Sequence, residues 1–251
     1  LHLCDRRQRQ MCIRDRMKVD TRNKNKALES LFADPAQIVF LDANFFIPPD
    51  RSGLMDRSRI KVKAISFPKF CEIWLDPIFE EFPNLAIHES VYNELVASAV
   101  KEYADAKQTE SPSRLRVYSD AELTTIEHSL METYISKLSE YSQYVPQLDN
   151  AKDRGEVKSL SFMAVKKFLY FAANDTLPTR LIREADELKT GLDDIELLEM
   201  YDVIYYLYRT DRYPKDGLRL LYKYEYYLTS REKQENPNWG DFIQEMDLLY
   251  G

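Results

Sequence analysis

Four acidic residues stand where short apolar segments end or where helices are predicted to begin. Asp42 and Asp175 each close an apolar run, Glu94 lies in the first turns of a predicted helix, and Glu156 opens a helix behind Gly155. Carboxylates gathered in one cleft repel each other strongly unless cations lie between them. Such hard oxygen ligands select Mg²⁺ or Mn²⁺, and a pair of these ions can activate a water and stabilise the leaving oxygen in phosphodiester hydrolysis. The four acids therefore predict a metal-dependent site, provided that the fold brings them together.

The elements around these acids predict an α/β fold with a parallel sheet. The segment 38–42 is continuously apolar until its acid, as in a central strand buried on both faces. Further strands are predicted at 85–87 and 168–172, and the carboxyl ends of parallel strands lie at the edge where such sheets build their sites. Helices are predicted over 67–82, 91–103, 120–144, 157–167, 179–189, 193–208, 216–228 and 239–250, and 105–118 is predicted to be a polar linker.

The chain begins with an arginine-rich segment, RRQRQMCIRDR at 6–16. A basic arm of this kind releases counterions when it meets a phosphate backbone, and a solvated terminus is the simpler alternative. A third interpretation comes from translating the segment back into codons, which match a transposase-based sequencing adapter. We therefore interpret residues 1–16 as a library artefact, expect the native chain to start at Met17, and exclude the segment from the fold.

The remaining composition restricts the class of protein. Residues 1–16 carry five arginines and two aspartates, so the rest of the chain has a net charge of −10 rather than −7. An acidic chain is a poor candidate for coating nucleic acid, so contacts with it should be local or mediated by cations. Cys71 is the one cysteine left, which excludes a zinc cluster and favours a reducing, cytoplasmic setting. No apolar stretch approaches the roughly 20 residues that span a bilayer, so no membrane contact is expected.

Four motifs around the acids resemble those of PIN-domain nucleases. In chain order they are IVFLDANFFI at 38–47, VYNEL at 91–95, DRGEVKSLSFMA at 153–164 and FAANDTLPTRLI at 171–182. They resemble the family's opening strand with its Asp-x-Asn signature, its two helices with the second and third acids, and its last strand with the fourth acid and a downstream arginine. Their order, and the 19-residue step from Glu156 to Asp175, make the set more specific than any one motif.

The resemblance implies a three-layer α/β/α, Rossmann-like PIN fold and a Mg²⁺- or Mn²⁺-dependent endoribonuclease. By this match the catalytic, metal-binding residues are Asp42, Glu94, Glu156 and Asp175, and the supporting residues are Asn44, Asn174 and Arg180. The implied substrate is RNA. Family members are often the toxin of a bacterial toxin–antitoxin pair, so an antitoxin protein and a second copy of the chain are candidate partners.

The chain is expected to divide into four parts. After the artefact at 1–16 come a helical lead-in at 17–35, the PIN-like nuclease domain at 36–189, and a helical C-terminal extension at 190–251 that packs on it. Family members are commonly shorter, and the long helix predicted at 120–144 intervenes between the second and third acids. The surfaces for substrate and partner are therefore expected to differ from those of the small toxins.

Each acid has a simpler structural explanation. An aspartate that follows a strand, such as Asp42 or Asp175, can form an Asx turn or cap the next helix. Glu94 can be an ordinary exposed helix residue, with Glu89 as a nearby competitor. Glu156 can complement the helix dipole, with Asp153 as its competitor. The combination of all four acids in the order of the motifs is what favours metal ligands.

Other polar and aromatic residues suggest weaker hypotheses. A basic loop is predicted to steer a phosphate backbone towards the metals, with a solvated charge run as the alternative; it contains Arg51, Arg57, Arg59, Lys61 and Lys63. His88 and His128 are too isolated for a zinc pair or a catalytic dyad. The tyrosines at 201–208 and 222–227 are predicted to pack helices together rather than to stack on bases.

The residues and the resemblance favour RNA hydrolysis, by a toxin or by an RNA-processing enzyme. Two alternatives stay open at this point. One is a structure-selective DNA nuclease on the same scaffold, and the other is a catalytically degenerate PIN-like domain that binds or scaffolds through its helical C-terminal region.

Overall fold

The structure, a computed structural model, describes residues 18–51 and 64–251 and contains a five-stranded parallel sheet. Its central strand is β1 (Val39–Leu41). On one side lie β2 (Leu85–His88) and then β3 (Leu115–Tyr118), and on the other lie β4 (Tyr170–Ala172) and then β5 (Glu196–Leu198). Every neighbouring pair is parallel. The predicted parallel sheet is therefore confirmed, with strand order β3-β2-β1-β4-β5.

Helices surround the sheet and connect its strands. A π-helical segment (Cys71–Leu75) joins α2 to α3, and short 3₁₀ segments lie at Ala43–Phe45 and Asp120–Glu122. In chain order the α-helices are α1 (Lys26–Ala33), α2 (Phe67–Phe70), α3 (Asp76–Glu81), α4 (Glu89–Tyr92), α5 (Ser98–Thr109), α6 (Thr125–Ser139), α7 (Arg154–Lys166), α8 (Thr176–Arg183), α9 (Ala185–Leu188), α10 (Met200–Thr210), α11 (Lys215–Tyr226), α12 (Glu232–Glu235) and α13 (Trp239–Tyr250).

The two faces of the sheet pack into two separate cores. Successive side chains of a strand point to opposite faces. Accordingly, Val39 and Leu41 belong to the core formed with α1, α3, α10 and α11, whereas Phe40 belongs to the core formed with α6, α7 and α8. All three residues of β1 are buried, as the continuous apolar run predicts. A mixed α/β molecule with helices on both faces of a parallel sheet is consistent with a three-layer α/β/α fold.

Two strands, β3 and β5, were not predicted from the sequence. β3 lies in the segment predicted to be a polar linker, because it is an edge strand that places Arg116 in solvent between the buried Leu115 and Tyr118. β5 lies in the segment predicted to be a helix over 193–208, because three residues are too few to show a periodicity of their own. The segment 190–251 is therefore not purely helical, and the sheet continues across the predicted boundary at 189/190.

The helices predicted at 91–103, 120–144 and 179–189 also differ from the observed ones, and the last of them is divided into α8 and α9. The helix predicted at 91–103 is broken into α4 and α5, with Glu94 in the turn between them. The apolar side chains of this turn do not share a face, since Leu95 is buried while Val96 is 87% exposed. The helix predicted at 120–144 ends at Ser139. Beyond it, the Asn150 side chain accepts a hydrogen bond from the backbone of Val145, so a looped conformation replaces the helix.

The C-terminal helices pack through the tyrosines that the sequence assigned to packing. Tyr201, Tyr205 and Tyr226 are buried, and the ring of Tyr222 stacks on Phe242 with 4.4 Å between the ring centroids. This prediction is confirmed. Within the described ranges, none of the helices combines the length and apolar character needed to cross a membrane.

Candidate metal centre

The four predicted acids line one cleft at the carboxyl edge of the sheet. Asp42 follows β1 directly and Asp175 lies just beyond β4. β1 and β4 lie side by side, with β2 on the far side of β1 and β5 on the far side of β4. The strand order changes direction between β1 and β4, and open α/β sheets bind ligands at such a switch point. Glu94 and Glu156 face the same cleft, whose volume is about 390 Å³. The convergence expected from the sequence is therefore present.

Asp42 is the most enclosed of the four acids, with 3% of its surface exposed. Burial raises its pKa well above the ordinary value, and the negative charges of Glu156 and Asp175 raise it further. The segment after it is held in place because the Trp74 side chain donates a hydrogen bond of 3.0 Å to the carbonyl oxygen of Phe45. A carboxyl group in this environment is ionised more readily when a cation lies beside it.

Glu94 reaches the cleft because the residue opposite it has no side chain. The backbone N–H of Gly155 donates a hydrogen bond of 3.0 Å to Oε1 of Glu94. A Cβ atom built on Gly155 would stand 2.5 Å from the same oxygen. Burial raises the pKa of Glu94, although this hydrogen bond and the charge of Arg154 act in the opposite direction. The glycine of the third motif thus positions the acid of the second.

Glu156 lies in the first turn of α7 and also faces the cleft. Burial, followed by the charges of Glu94 and Asp153, raises its pKa to about 7. Its competitor Asp153 instead accepts a hydrogen bond of 2.8 Å from the backbone of Gln143. Glu89, the competitor of Glu94, accepts one of 2.9 Å from the backbone of Asp120. Neither competitor lines the cleft, so the structure separates them from the predicted ligands.

Asp175 and two asparagines complete the predicted set. Asp175 occupies the position before α8, but its side chain makes no capping hydrogen bond to that helix. Asn174 is oriented by Tyr226, whose hydroxyl donates a hydrogen bond of 2.7 Å to Oδ1. Asn44 lines the cleft, and among the described residues neither its Oδ1 nor its Nδ2 has a hydrogen-bond partner although both atoms are buried. An amide in that state is costly unless a ligand satisfies it.

Two arginines of the predicted site, Arg180 and Arg51, make contacts that the prediction did not include. Arg180 does not line the cleft, and its guanidinium donates a hydrogen bond of 3.0 Å to the carbonyl oxygen of Tyr141. Arg51 does line the cleft, but its guanidinium forms an ion pair with Glu232 rather than projecting freely towards a substrate. Arg57, Arg59, Lys61 and Lys63 lie outside the described residues, as do Met17 and the arginine-rich segment, so those hypotheses stay predictions.

Glu225 is a fifth enclosed acid in the cleft that the sequence analysis missed. It belongs to α11, is 3% exposed, and lines the same cleft as the four predicted acids. Burial raises its pKa to about 7; the positive charge of Arg51 opposes this rise, and the negative charges of Glu232 and Asp175 add to it. A sequence signal for it exists, because Leu218, Leu221 and Glu225 recur on one face of the helix. An acid on an otherwise apolar stripe marks a buried carboxyl group.

A second group of polar residues at this edge of the sheet also has the spacing of a metal site. Ligand atoms of His88, Glu89 and Asp120 all lie within 4.8 Å of one another. His88 is fully buried, with one ring nitrogen 2.7 Å from Ser90 Oγ and the other 3.2 Å from Asp120 Oδ1. Ser90 is 6% exposed, so the fold shields its hydroxyl from solvent. His128 is exposed and takes no part in the group.

A larger depression of about 550 Å³ lies elsewhere, between α1, α10 and the end of α13. Its charges are already engaged, since Lys24 pairs with Glu29 and Arg209 donates to the carbonyl oxygen of Tyr250. It lacks a cluster of carboxylates, and we therefore place the candidate site in the acidic cleft.

Comparison of the chain with models of protein families, with curated proteins and with solved structures yields no match.

Proposed function

We propose that the chain is a PIN-like, Mg²⁺- or Mn²⁺-dependent endoribonuclease with a Rossmann-like fold, and that it hydrolyses RNA phosphodiester bonds in the acidic cleft. The observation that carries the proposal is the meeting of Asp42, Glu94, Glu156 and Asp175 in one cleft at the switch point of the sheet. RNA as the substrate is what the resemblance of the four motifs to PIN-domain nucleases implies.

The donor atoms of the cleft fit a hard divalent cation. The described lining residues include six acids and one cation, Arg51, which is paired with Glu232; the acids are Asp42, Asp50, Glu94, Glu156, Asp175 and Glu225. Carboxylate and amide oxygens are the ligands that Mg²⁺ and Mn²⁺ prefer. The unsatisfied amide of Asn44 adds a neutral oxygen donor at the same place.

Each residue has a distinct task in this proposal. Asp42, Glu94, Glu156 and Asp175 hold the cations, and Gly155 fixes the position of the Glu94 carboxylate. Asn44 supplies an oxygen beside Asp42, and Tyr226 fixes the amide of Asn174 beside Asp175. When bound, the ions lower the pKa of a water and neutralise the negative charge of a phosphate. The acidic cleft could not otherwise accept a polyanion, because its own charge would repel it.

The test is cleavage of matched single-stranded RNA and DNA by the purified protein in Mn²⁺, in Mg²⁺ and in EDTA. We expect RNA cleavage that needs the metal and that falls at least about 100-fold in Asp42→Asn, the upper end of the effect of losing an outer-shell partner of a metal site. Asp216→Asn is the matched control, since it removes one charge at an exposed position on α11 and is expected to cleave as the wild type does.

The outcomes separate the candidate functions. Cleavage that survives in EDTA, or equal activity in Asp42→Asn, would contradict the metal site. Metal-dependent cleavage of DNA in preference to RNA would replace the substrate in the proposal while keeping the site. No cleavage of either nucleic acid by a wild-type protein that binds Mn²⁺ would favour the degenerate binding domain.

A further inference from the structure

Glu225 enters the cleft from the C-terminal helices rather than from the sheet edge that supplies the other four enclosed acids. It lies near the end of α11, close to residues 174 and 175. The geometry points to Glu225 as a fifth carboxylate ligand of the cation site, so that bound divalent ions join the C-terminal helices to the edge of the sheet. This inference rests on the cleft binding cations as proposed above.

The position of Glu225 is fixed by contacts on both sides. Its carboxylate accepts a hydrogen bond of 3.4 Å from Nδ2 of Asn174, while Oδ1 of Asn174 accepts the hydrogen bond from Tyr226. On the other side, Nη1 of Arg51 donates a hydrogen bond of 3.4 Å to the backbone carbonyl oxygen of Glu225. Two successive residues of α11 therefore hold the segment that follows β4, and Glu225 is oriented into the cleft with it.

The hydrogen bonding of Glu225 is too weak to account for burying a charged group. A carboxylate that is 97% enclosed requires several close donors or a cation, and the bond from Asn174 is long. The nearby guanidinium of Arg51 also forms an ion pair with Glu232, so two carboxylates share its positive charge. Among the described residues, the charge of Arg51 therefore opposes the effect of burial on Glu225, whereas the charges of Glu232 and Asp175 add to it.

An independent observation indicates that a ligand belongs in this cleft. Asn44 lines the same cleft, and both polar atoms of its amide are buried without a hydrogen bond within the described part of the chain. A buried amide oxygen and five carboxylates all favour a nearby cation, and together they offer more oxygen atoms than one ion requires. The cleft can therefore use Glu225 as a ligand if it holds a pair of ions.

The test measures Mn²⁺ binding by isothermal titration calorimetry for the full chain, Glu225→Gln and Asp216→Asn. Glu225→Gln is nearly isosteric and removes one negative charge from the cleft, whereas Asp216→Asn removes one from the exposed start of the same helix. We expect the Mn²⁺ dissociation constant to rise about tenfold or more in Glu225→Gln and to stay unchanged in Asp216→Asn. Equal affinities in the wild type and Glu225→Gln would overturn the inference.

Hydrogen exchange on the wild-type protein makes the test independent of how Glu225→Gln folds. Saturating Mn²⁺ is expected to slow exchange of the backbone amides at the end of α11, since the ion joins Glu225 to the sheet edge. Unchanged exchange there would overturn the inference even if the variant were unfolded.

The failure of this inference is distinguishable from the failure of the proposed function. Mn²⁺ binding that depends on Glu225, without cleavage of any nucleic acid, would sink the nuclease and leave Glu225 as a ligand. Metal-dependent cleavage with wild-type Mn²⁺ affinity in Glu225→Gln would do the reverse. A wild-type protein that binds no Mn²⁺ would overturn both.

Discussion

Gly155 positions a carboxylate through the absence of its own side chain. The glycine brings its backbone N–H within 3.0 Å of Glu94 Oε1, and any Cβ atom would collide with that carboxylate. The obstacle is the mobile end of a long side chain rather than backbone, so a substitution can be accommodated by moving Glu94. A side chain at position 155 is therefore expected to disturb the geometry of the cleft rather than the stability of the fold.

Gly155→Ala is therefore expected to separate stability from metal binding. The alanine displaces the Glu94 carboxylate and weakens Mn²⁺ binding about tenfold, while the free energy of unfolding stays within about 1 kcal/mol of the wild type, because alanine favours the helix in whose first turn the glycine lies. Calorimetric titration and urea unfolding measure the two quantities.

The matched control for Gly155→Ala is Ser159→Ala, on the same helix and outside the cleft lining. It is expected to leave Mn²⁺ affinity unchanged. If Gly155→Ala bound Mn²⁺ as tightly as the wild type, the glycine would have no role in placing Glu94.

At the residue scale, the sequence was most informative where acids follow strands. Asp42, Glu94, Glu156 and Asp175 were predicted to converge, and they do. Glu225 was missed because it lies near the end of a helix, Lys215–Tyr226, whose apolar and aromatic pattern predicts packing. The roles of Arg51 and Arg180 depend on partners far along the chain, Glu232 and the carbonyl oxygen of Tyr141. Spacing within a motif carries no information about such partners.

Helix α11 is docked against the π-helical segment through another glycine. A Cβ atom on Gly217 would lie 2.9 Å from Cγ2 of Ile73, a side chain that is 5% exposed. The collision involves a buried, β-branched residue, which has little freedom to move away. The close approach of this glycine thus sets the depth at which α11, and with it Glu225, meets the rest of the molecule.

Gly217→Ala is expected to destabilise the protein although it removes a glycine from a helix. Alanine normally gains about 1 kcal/mol over glycine in a helix, whereas overpacking a core costs about 1–3 kcal/mol. We expect the free energy of unfolding in urea to fall by up to about 2 kcal/mol. Arg219→Ala, at an exposed position of α11, should leave it nearly unchanged, and a gain of stability in Gly217→Ala would show that the contact with Ile73 is loose.

The elements that the sequence predicted are those with a strong pattern over enough residues. The central strand at 38–42 and the last helix at 239–250 are present as Val39–Leu41 and Trp239–Tyr250. β3 and β5 were missed because an edge strand exposes charged residues and because β5 is three residues long. Their pairing with β2 and β4 comes from tertiary contacts, which local propensity does not encode.

The distribution of acids affects the whole molecule through the pH dependence of its stability. Glu156 and Glu225 have pKa values of about 7 in the folded protein, above the ordinary value of 4.5, so the folded state binds protons more tightly than the unfolded one. Their contribution to stability is fully present below the unfolded pKa and is lost as the pH rises through about 7. The metal-free cleft therefore opposes folding at high pH.

The melting temperature of the protein in EDTA is accordingly expected to rise when the pH is lowered from about 8 to about 6. In the proposed site Mn²⁺ would compete with protons for the same carboxylates, so the stabilisation that it adds is expected to grow in the opposite direction, from pH 6 to pH 8. Differential scanning calorimetry measures both trends. The double variant Glu156→Gln, Glu225→Gln is the control and should reduce the dependence in EDTA, of which Asp202, whose pKa burial raises to about 8, keeps a part; a wild-type profile that matches the double variant would refute this account.

The strand order also determines how long β1 lacks its second neighbour while the polypeptide is synthesised. β2 and β3 follow β1 soon after it, but Leu41 pairs with Ala172 on the other side, 131 residues later in the sequence. At a synthesis rate of about 5–20 residues per second, roughly 7–26 s pass between the two. During that interval one edge of β1 has no neighbour, and an unpaired strand edge can pair with another chain. Asp42 meets Asp175 when that edge closes, and Glu225 joins them last.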